Sequence, residues 1–148
     1  MARARRFLLL SPVERSLLVS ATLLLLMTGL GLRLLPSRTV RRLLALTSRG
    51  PGLPVAGPPS PREIARAVTA ASRHVPGATC LTRALVAQVL FDRQGYPARV
   101  WIGAARDGEG AWRAHAWLEG QSGVVIGGAE GLHYVALTSL EARNSDAR

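Results

Sequence analysis

CLTRALVAQVLFDRQGYPARVWIGAARDGEGAWRAHAWLE, residues 80–119, is the stretch whose reading decides the fold. It opens on the chain's only cysteine, Cys80, and closes on a segment that carries His115. Thr79 has the form of a helix cap, which puts Cys80 at the first helical position. Leu81, Leu85 and Val89, with Ala84 and Leu90 on the neighbouring row, make an apolar stripe at helical spacing. Gly95 stops that helix and Pro97 bars a restart. Residues 98–104 then read as a strand, 106–110 as a turn and 112–119 as the return strand; 120–123 make a second tight turn before a third strand at 124–126. On the return strand His115, Trp117 and Glu119 share one face, and Ala114, Ala116 and Leu118 the other.

This arrangement has chemical content. A thiol at a helix N-terminus feels a partial positive charge and unpaired amide donors, and both favour the thiolate. The same amides can hold an oxyanion during acyl transfer. A cysteine on a helix and a histidine on a separate sheet element are the supports of a nucleophile–base pair.

Upstream, Ser60-Pro61-Arg62-Glu63 has the form of a capping box with proline at the first helical position. Ile64, Ala67, Val68, Ala71 and Val75 follow on one helical face, and Pro76-Gly77 ends the helix. His74 falls in its last turn, where a cation suits the helix dipole, so it reads as structural rather than as a base. Two helices followed by antiparallel strands give an α+β fold. Residues 48–61, SRGPGLPVAGPPSP, hold five prolines and three glycines and read as an extended linker. The organisation is thus a hydrophobic, Arg-flanked helical segment over 1–47, a linker over 48–59 and a domain over 60–148.

The N-terminal segment starts a helix at Ser11-Pro12-Val13-Glu14, again cap, proline and acid. Seventeen uncharged residues, 16–32, lie between Arg15 and Arg33, the lower edge of a membrane span. Three readings stay open for residues 16–35: a membrane-associated helix, a hydrophobic helix docked on the domain, and a cleaved signal. Because the linker sets this segment apart from the motif, the chemistry is expected to need only residues 60–148.

Composition narrows the function classes. Of the 148 residues 48% are hydrophobic, enough for a core. The net charge of +10 is concentrated at one end: residues 1–49 hold nine arginines and one acid, whereas residues 50–148 hold ten arginines and eight acids. A nucleic-acid binder needs a clustered basic face on its folded part, so that class is disfavoured. One cysteine makes no intramolecular disulfide. His74, His115 and His133 with Cys80 show no zinc-ligand spacing, and the glycine spacings of nucleotide-binding loops are absent, so no metal or cofactor is expected.

Taken together, Cys80-Leu81-x-Arg83-Ala84, then Gly95-x-Pro97-Ala98-Arg99-Val100 and Gly103, then His115-Ala116-Trp117-Leu118-Glu119 resemble the transglutaminase-like cysteine protease superfamily. More closely, they resemble the leader peptidases of lasso-peptide biosynthesis. Leu10-Ser11-Pro12-x-Glu14-Arg15 is similar to the N-terminal region of that family. The resemblance implies a papain-like arrangement, with Cys80 as nucleophile and His115 as general base. It implies a cytoplasmic cysteine peptidase, at the inner face of the membrane if residues 16–35 contact it, that cuts a ribosomally made precursor peptide between leader and core. It also implies two partners: a separate leader-recognition protein and an asparagine-synthetase-like lasso cyclase. Two alternatives stand beside it, another transglutaminase-like acyl transferase or amidase, and a catalytically inactive, membrane-associated binding module.

One departure from the family pattern is visible. The family places an aspartate on the strand after the histidine strand, to orient the imidazole. If 120–123 is the turn, Glu119 pairs with Val124 and His115 falls opposite Gly128, within Val124-Val125-Ile126-Gly127-Gly128-Ala129-Glu130. Glu130 is the candidate orienter if a bulge brings it into reach; a backbone carbonyl or a water is the other way to fix the ring.

Overall fold

A computed structural model describes residues 10–50, 57–128 and 134–140. Two helices begin by the same device. Helix α1 (Pro12–Leu34) is capped by Ser11, whose hydroxyl accepts from the Glu14 amide while the Glu14 carboxylate accepts from the Ser11 amide. Helix α3 (Pro61–Ser72) repeats this with Ser60 and Glu63. Hydrogen bonds from the Ser60 hydroxyl and amide hold the Glu63 carboxyl below the usual carboxylate range. Between them lies α2 (Ser37–Ser48), set off from α1 by Pro36, which cannot continue the preceding helix. Val40 of α2 packs against Gly31 of α1, where a Cβ would sit 3.3 Å from a Val40 methyl. The third helical run ends earlier than its apolar spacing indicates: α3 stops at Ser72 and His74 lies exposed in the turn beyond it. Val75 is nonetheless buried, because the turn folds back onto the core.

Helix α4 (Cys80–Arg93) is capped by Thr79, with Cys80 at its first position. Its buried surface is much wider than a single stripe. Thr82, Ala84, Leu85, Val86, Ala87, Val89, Leu90 and Phe91 are all buried, because α1, α2, α3 and the sheet surround it. Burying each large apolar side chain here contributes roughly 1.5–3 kcal/mol.

The sheet contains β1 (Ala98–Arg106), β2 (Trp112–Gly120), β3 (Gly123–Ile126) and β4 (Val135–Leu140), all antiparallel neighbours in the order β3-β2-β1-β4. The β1–β2 turn is built on Asp107, whose carboxylate accepts from the amides of Glu109 and Ala111 and from the Arg113 side chain. The Arg113 hydrogen bond, with those amides, holds the Asp107 carboxyl below its ordinary range. Strand β4 pairs with the far side of β1 and has no counterpart in the three-strand reading of the sequence.

One core joins these layers. It holds Leu17, Ala21 and Leu25 of α1, Ile64 and Val68 of α3, Val86 and Phe91 of α4, and Val100, Leu118 and Ile126 of the sheet. Helix α1 is therefore tied to the rest by packing of its inner side as well as by chain.

Candidate active site

Helix α4 covers the face of β2 on which Ala116 and Leu118 are buried. Near its C-terminal end Phe91 lies 3.8 Å from where a Gly120 Cβ would be, so the helix starts over the half of β2 away from Gly120. That half carries His115. Cys80 is half-buried at the first turn and packs against the edge of the core. Thr79 Oγ1 accepts from the Thr82 amide at 3.2 Å and pairs with the Thr82 hydroxyl at 2.9 Å. The first intrahelical bond is donated by Arg83 to Thr79 O, which leaves the amides of Cys80 and Leu81 without an intrahelical partner. Those two donors surround the cysteine.

His115 is half-buried on β2, opposite Gly103 of β1. Its Nε2 meets the carbonyl oxygen of Gly127 at 2.5 Å. A carbonyl only accepts, so Nε2 carries the proton and the neutral ring keeps its lone pair on Nδ1. Trp117 stacks beside the imidazole at 6.3 Å between ring centres, and Tyr134 packs on it at 4.8 Å. The Trp117 ring lies over Gly103; a Cβ there would sit 2.8 Å from that ring and 2.5 Å from Val135 O, so any larger residue displaces one of them. Gly127 is equally constrained. Its φ is +85°, and a Cβ would lie 2.8 Å from Ala116 O and 3.1 Å from the Trp117 backbone.

The turn after β2 follows the expected register as far as Glu119 opposite Val124. A bulge between Leu118 and Glu119 then shifts the pairing so that Leu118 meets Ile126. The slip puts Gly127 beside Trp117, and the His115 ring reaches the Gly127 carbonyl along the strand rather than meeting a residue directly opposite it. Of the ways to orient the ring, a backbone carbonyl is the one present at Nε2. Glu130 lies outside the described residues. Glu119 is exposed and lies four residues along the strand from His115, opposite Arg99.

The structure does not join Cys80 to His115. No hydrogen bond links them among the described residues, and His115 shares its face of the sheet with Trp117, opposite the Ala116 and Leu118 face that α4 covers. Nor do the described residues contain a group of three or more histidine, cysteine or acidic side chains able to hold a metal. Two members of the site escaped the sequence reading. Tyr134 gave no signal, and the Gly127 carbonyl was visible only as a glycine pair after a strand.

A family model described as the transglutaminase-like superfamily matches residues 24–139, well over half of the chain. The chain belongs to the transglutaminase-like superfamily. That superfamily includes cysteine proteases and acyltransferases and is usually catalytic. The matched region of this transglutaminase-like chain begins inside α1, crosses residues 48–59 and ends within β4. It thus spans both sides of the Pro-rich stretch. Neither a curated protein nor a solved structure matches the chain.

Proposed function

We propose that this chain is a cysteine peptidase that removes the leader from a ribosomally made precursor during lasso-peptide maturation. The observation that carries the catalytic part is Cys80 at the first position of a Thr79-capped helix within a transglutaminase-like domain. This reading requires Cys80 and His115, which are apart in the structure, to meet when substrate is bound; His115 Nδ1 then takes the Cys80 proton and the thiolate attacks the scissile carbonyl carbon. The tetrahedral oxyanion is held by the Cys80 and Leu81 amides. The C–N bond breaks as the imidazolium returns the proton to the leaving amine, and a thioester remains on Cys80. Water, deprotonated by His115, attacks that thioester and releases the carboxylate product and the free thiol. The Nε2–H···O bond to Gly127 supports this assignment, because it leaves Nδ1 as the acceptor. The reading implies delivery of the precursor by a separate leader-recognition protein and ring closure by an asparagine-synthetase-like cyclase. Cytoplasmic placement belongs to the same proposal.

The test is cleavage of a precursor supplied with its leader-binding protein, followed by mass spectrometry. Cys80→Ala and His115→Ala each abolish cleavage and keep the wild-type melting curve. Glu130→Gln lowers turnover by no more than about tenfold, a barrier change of about 1.4 kcal/mol, since Glu130 is at most an auxiliary orienter. Retained cleavage in Cys80→Ala sinks the cysteine-peptidase reading. One observation favours a second reading, an inactive binding module: the lack of a Cys80–His115 hydrogen bond among the described residues. Thiol alkylation near neutral pH separates the two. A dyad gives a Cys80 rate that falls in His115→Ala, and an inactive module gives a rate indifferent to that change.

A further inference from the structure

Helix α1 has two unlike sides. Leu17, Ala21 and Leu25 are buried in the core. On the opposite side Val19, Leu23, Leu26, Met27, Leu30 and Leu34 are exposed, Met27 at 69% and Leu34 at 71%. Their spacing, i, i+4, i+7, i+8, i+11 and i+15, confines them to one stripe about 100° wide at 3.6 residues per turn. Leu35 at the end of α1 and Leu43 and Leu46 on α2 are exposed as well. Monomeric soluble proteins rarely leave a contiguous apolar patch of more than a few hundred Å² uncovered.

Charge specifies the cover. Between Glu14 and Glu63 the sequence holds seven arginines and no acid. Arg33 closes α1, Arg38 and Arg42 are exposed on α2, and Arg49 is exposed at its C-cap. With Arg41, these arginines line a groove of about 760 Å³ between α2 and α4, where Asp92 is the one acid. An apolar stripe on one helix and an arginine-rich next helix together fit a surface that is apolar beneath and anionic at its boundary.

The geometry points to a monotopic docking face: α1 lies in the plane of an anionic phospholipid bilayer, its outer stripe in the acyl boundary and the α2 arginines on the headgroups. The helix is long and apolar enough to cross a membrane by length and composition. Crossing would require Leu17, Ala21 and Leu25 to leave the core that they share with α3, α4 and the sheet. This inference does not depend on the peptidase reading, because it uses no residue of the candidate active site.

Flotation of the full chain with vesicles of phosphatidylcholine, alone or mixed with phosphatidylglycerol, tests it. The chain floats with the mixed vesicles and floats poorly with phosphatidylcholine alone. Met27→Glu combined with Leu30→Glu lowers flotation at least tenfold with an unchanged melting temperature, since both side chains are exposed. Arg38→Ala and Arg42→Ala each weaken binding about fivefold at low salt. Equal flotation of wild type and the Met27→Glu, Leu30→Glu variant overturns the proposal. So does equal flotation of the wild type with both vesicle types, which would mean that headgroup charge plays no part. A wild type that ignores both vesicles but forms a dimer that the same variant dissociates assigns the stripe to a second copy of this chain instead.

Discussion

Helices α1 and α4 are both apolar, both capped by a hydroxyl residue and both in the same core, yet they are used differently. Helix α4 is enclosed, with eight of its 14 residues buried on several sides. Helix α1 has 23 residues, of which Leu17, Ser20, Ala21, Leu25 and Thr28 are buried, and its other side carries the exposed stripe. Composition does not distinguish them; neighbours do. An enclosed helix fixes what stands at its tip, here Cys80, whereas a two-sided helix ties the core to whatever meets its outer side.

The largest effect expected from breaking this comparison is removal of α1 altogether. Linker composition makes a chain beginning at Ser60 look autonomous. The packing predicts otherwise: without Leu17, Ala21 and Leu25 the inner faces of α3 and α4 are open to water. Such a chain should be insoluble, or soluble without a cooperative thermal transition. A sharp melt with native near-ultraviolet dichroism would show that the core closes without α1.

A finer break uses two adjacent leucines. Leu25 is fully buried and Leu26 is 47% exposed. Leu25→Ala should cost about 2–5 kcal/mol, the range for buried leucine truncation. Leu26→Ala should change stability by no more than about 0.5 kcal/mol. Urea denaturation of both variants measures the contrast. Equal losses would mean that the outer side of α1 is also packed within the protein.

Local signals carried much of this fold. The two Ser-Pro-x-Glu boxes, the Thr79 cap, Cys80 at the helix start, Gly95 at the stop and the Asp107 turn are short-range chemistry, and residues within four positions of each other determine them. Three features were not legible. Strand β4 is an exposed edge whose pairing with β1 depends on contacts some 35 positions away, and its alternation is weak. The bulge at Leu118 and Glu119 is one residue of slip that no composition signal marks, yet it changes which residues of the following segment lie beside β2. The docking of α1 was visible only as one of three open readings, because a Pro-rich stretch reports the conformation of the connection and not where its ends go. In the candidate site, Cys80 and His115 could be named as residue types on suitable supports, while Tyr134 and the Gly127 carbonyl come from the sheet's actual register.

The cap that presents Cys80 has a smaller, measurable value. Thr79 Oγ1 serves both the amide and the hydroxyl of Thr82. Thr79→Ala should cost about 1 kcal/mol, as for other lost helix caps. If Cys80 depends on that first turn, alkylation of the thiol should slow in the same variant. A stability loss with an unchanged alkylation rate would separate the cap from the presentation of the cysteine.

The smallest effect is the most pointed, because one substitution should have opposite signs on the two helices. Thr28 of α1 and Thr82 of α4 are both buried, at 2% and 1% exposure. The Thr82 hydroxyl is paired with Thr79, whereas Thr28 Oγ1 has no hydrogen-bond partner among the described residues. A buried hydroxyl without a partner costs its desolvation, about 1–3 kcal/mol, and a valine of nearly the same shape removes that penalty. Thr28→Val should therefore stabilise the chain, by about 1 kcal/mol. Thr82→Val should destabilise it by a similar amount, since it deletes one side of a satisfied pair and leaves Thr79 with only the amide. Paired denaturation curves decide the signs. If both variants are destabilised, Thr28 has a partner in solution, such as a bound water, and the inner side of α1 is as well satisfied as that of α4.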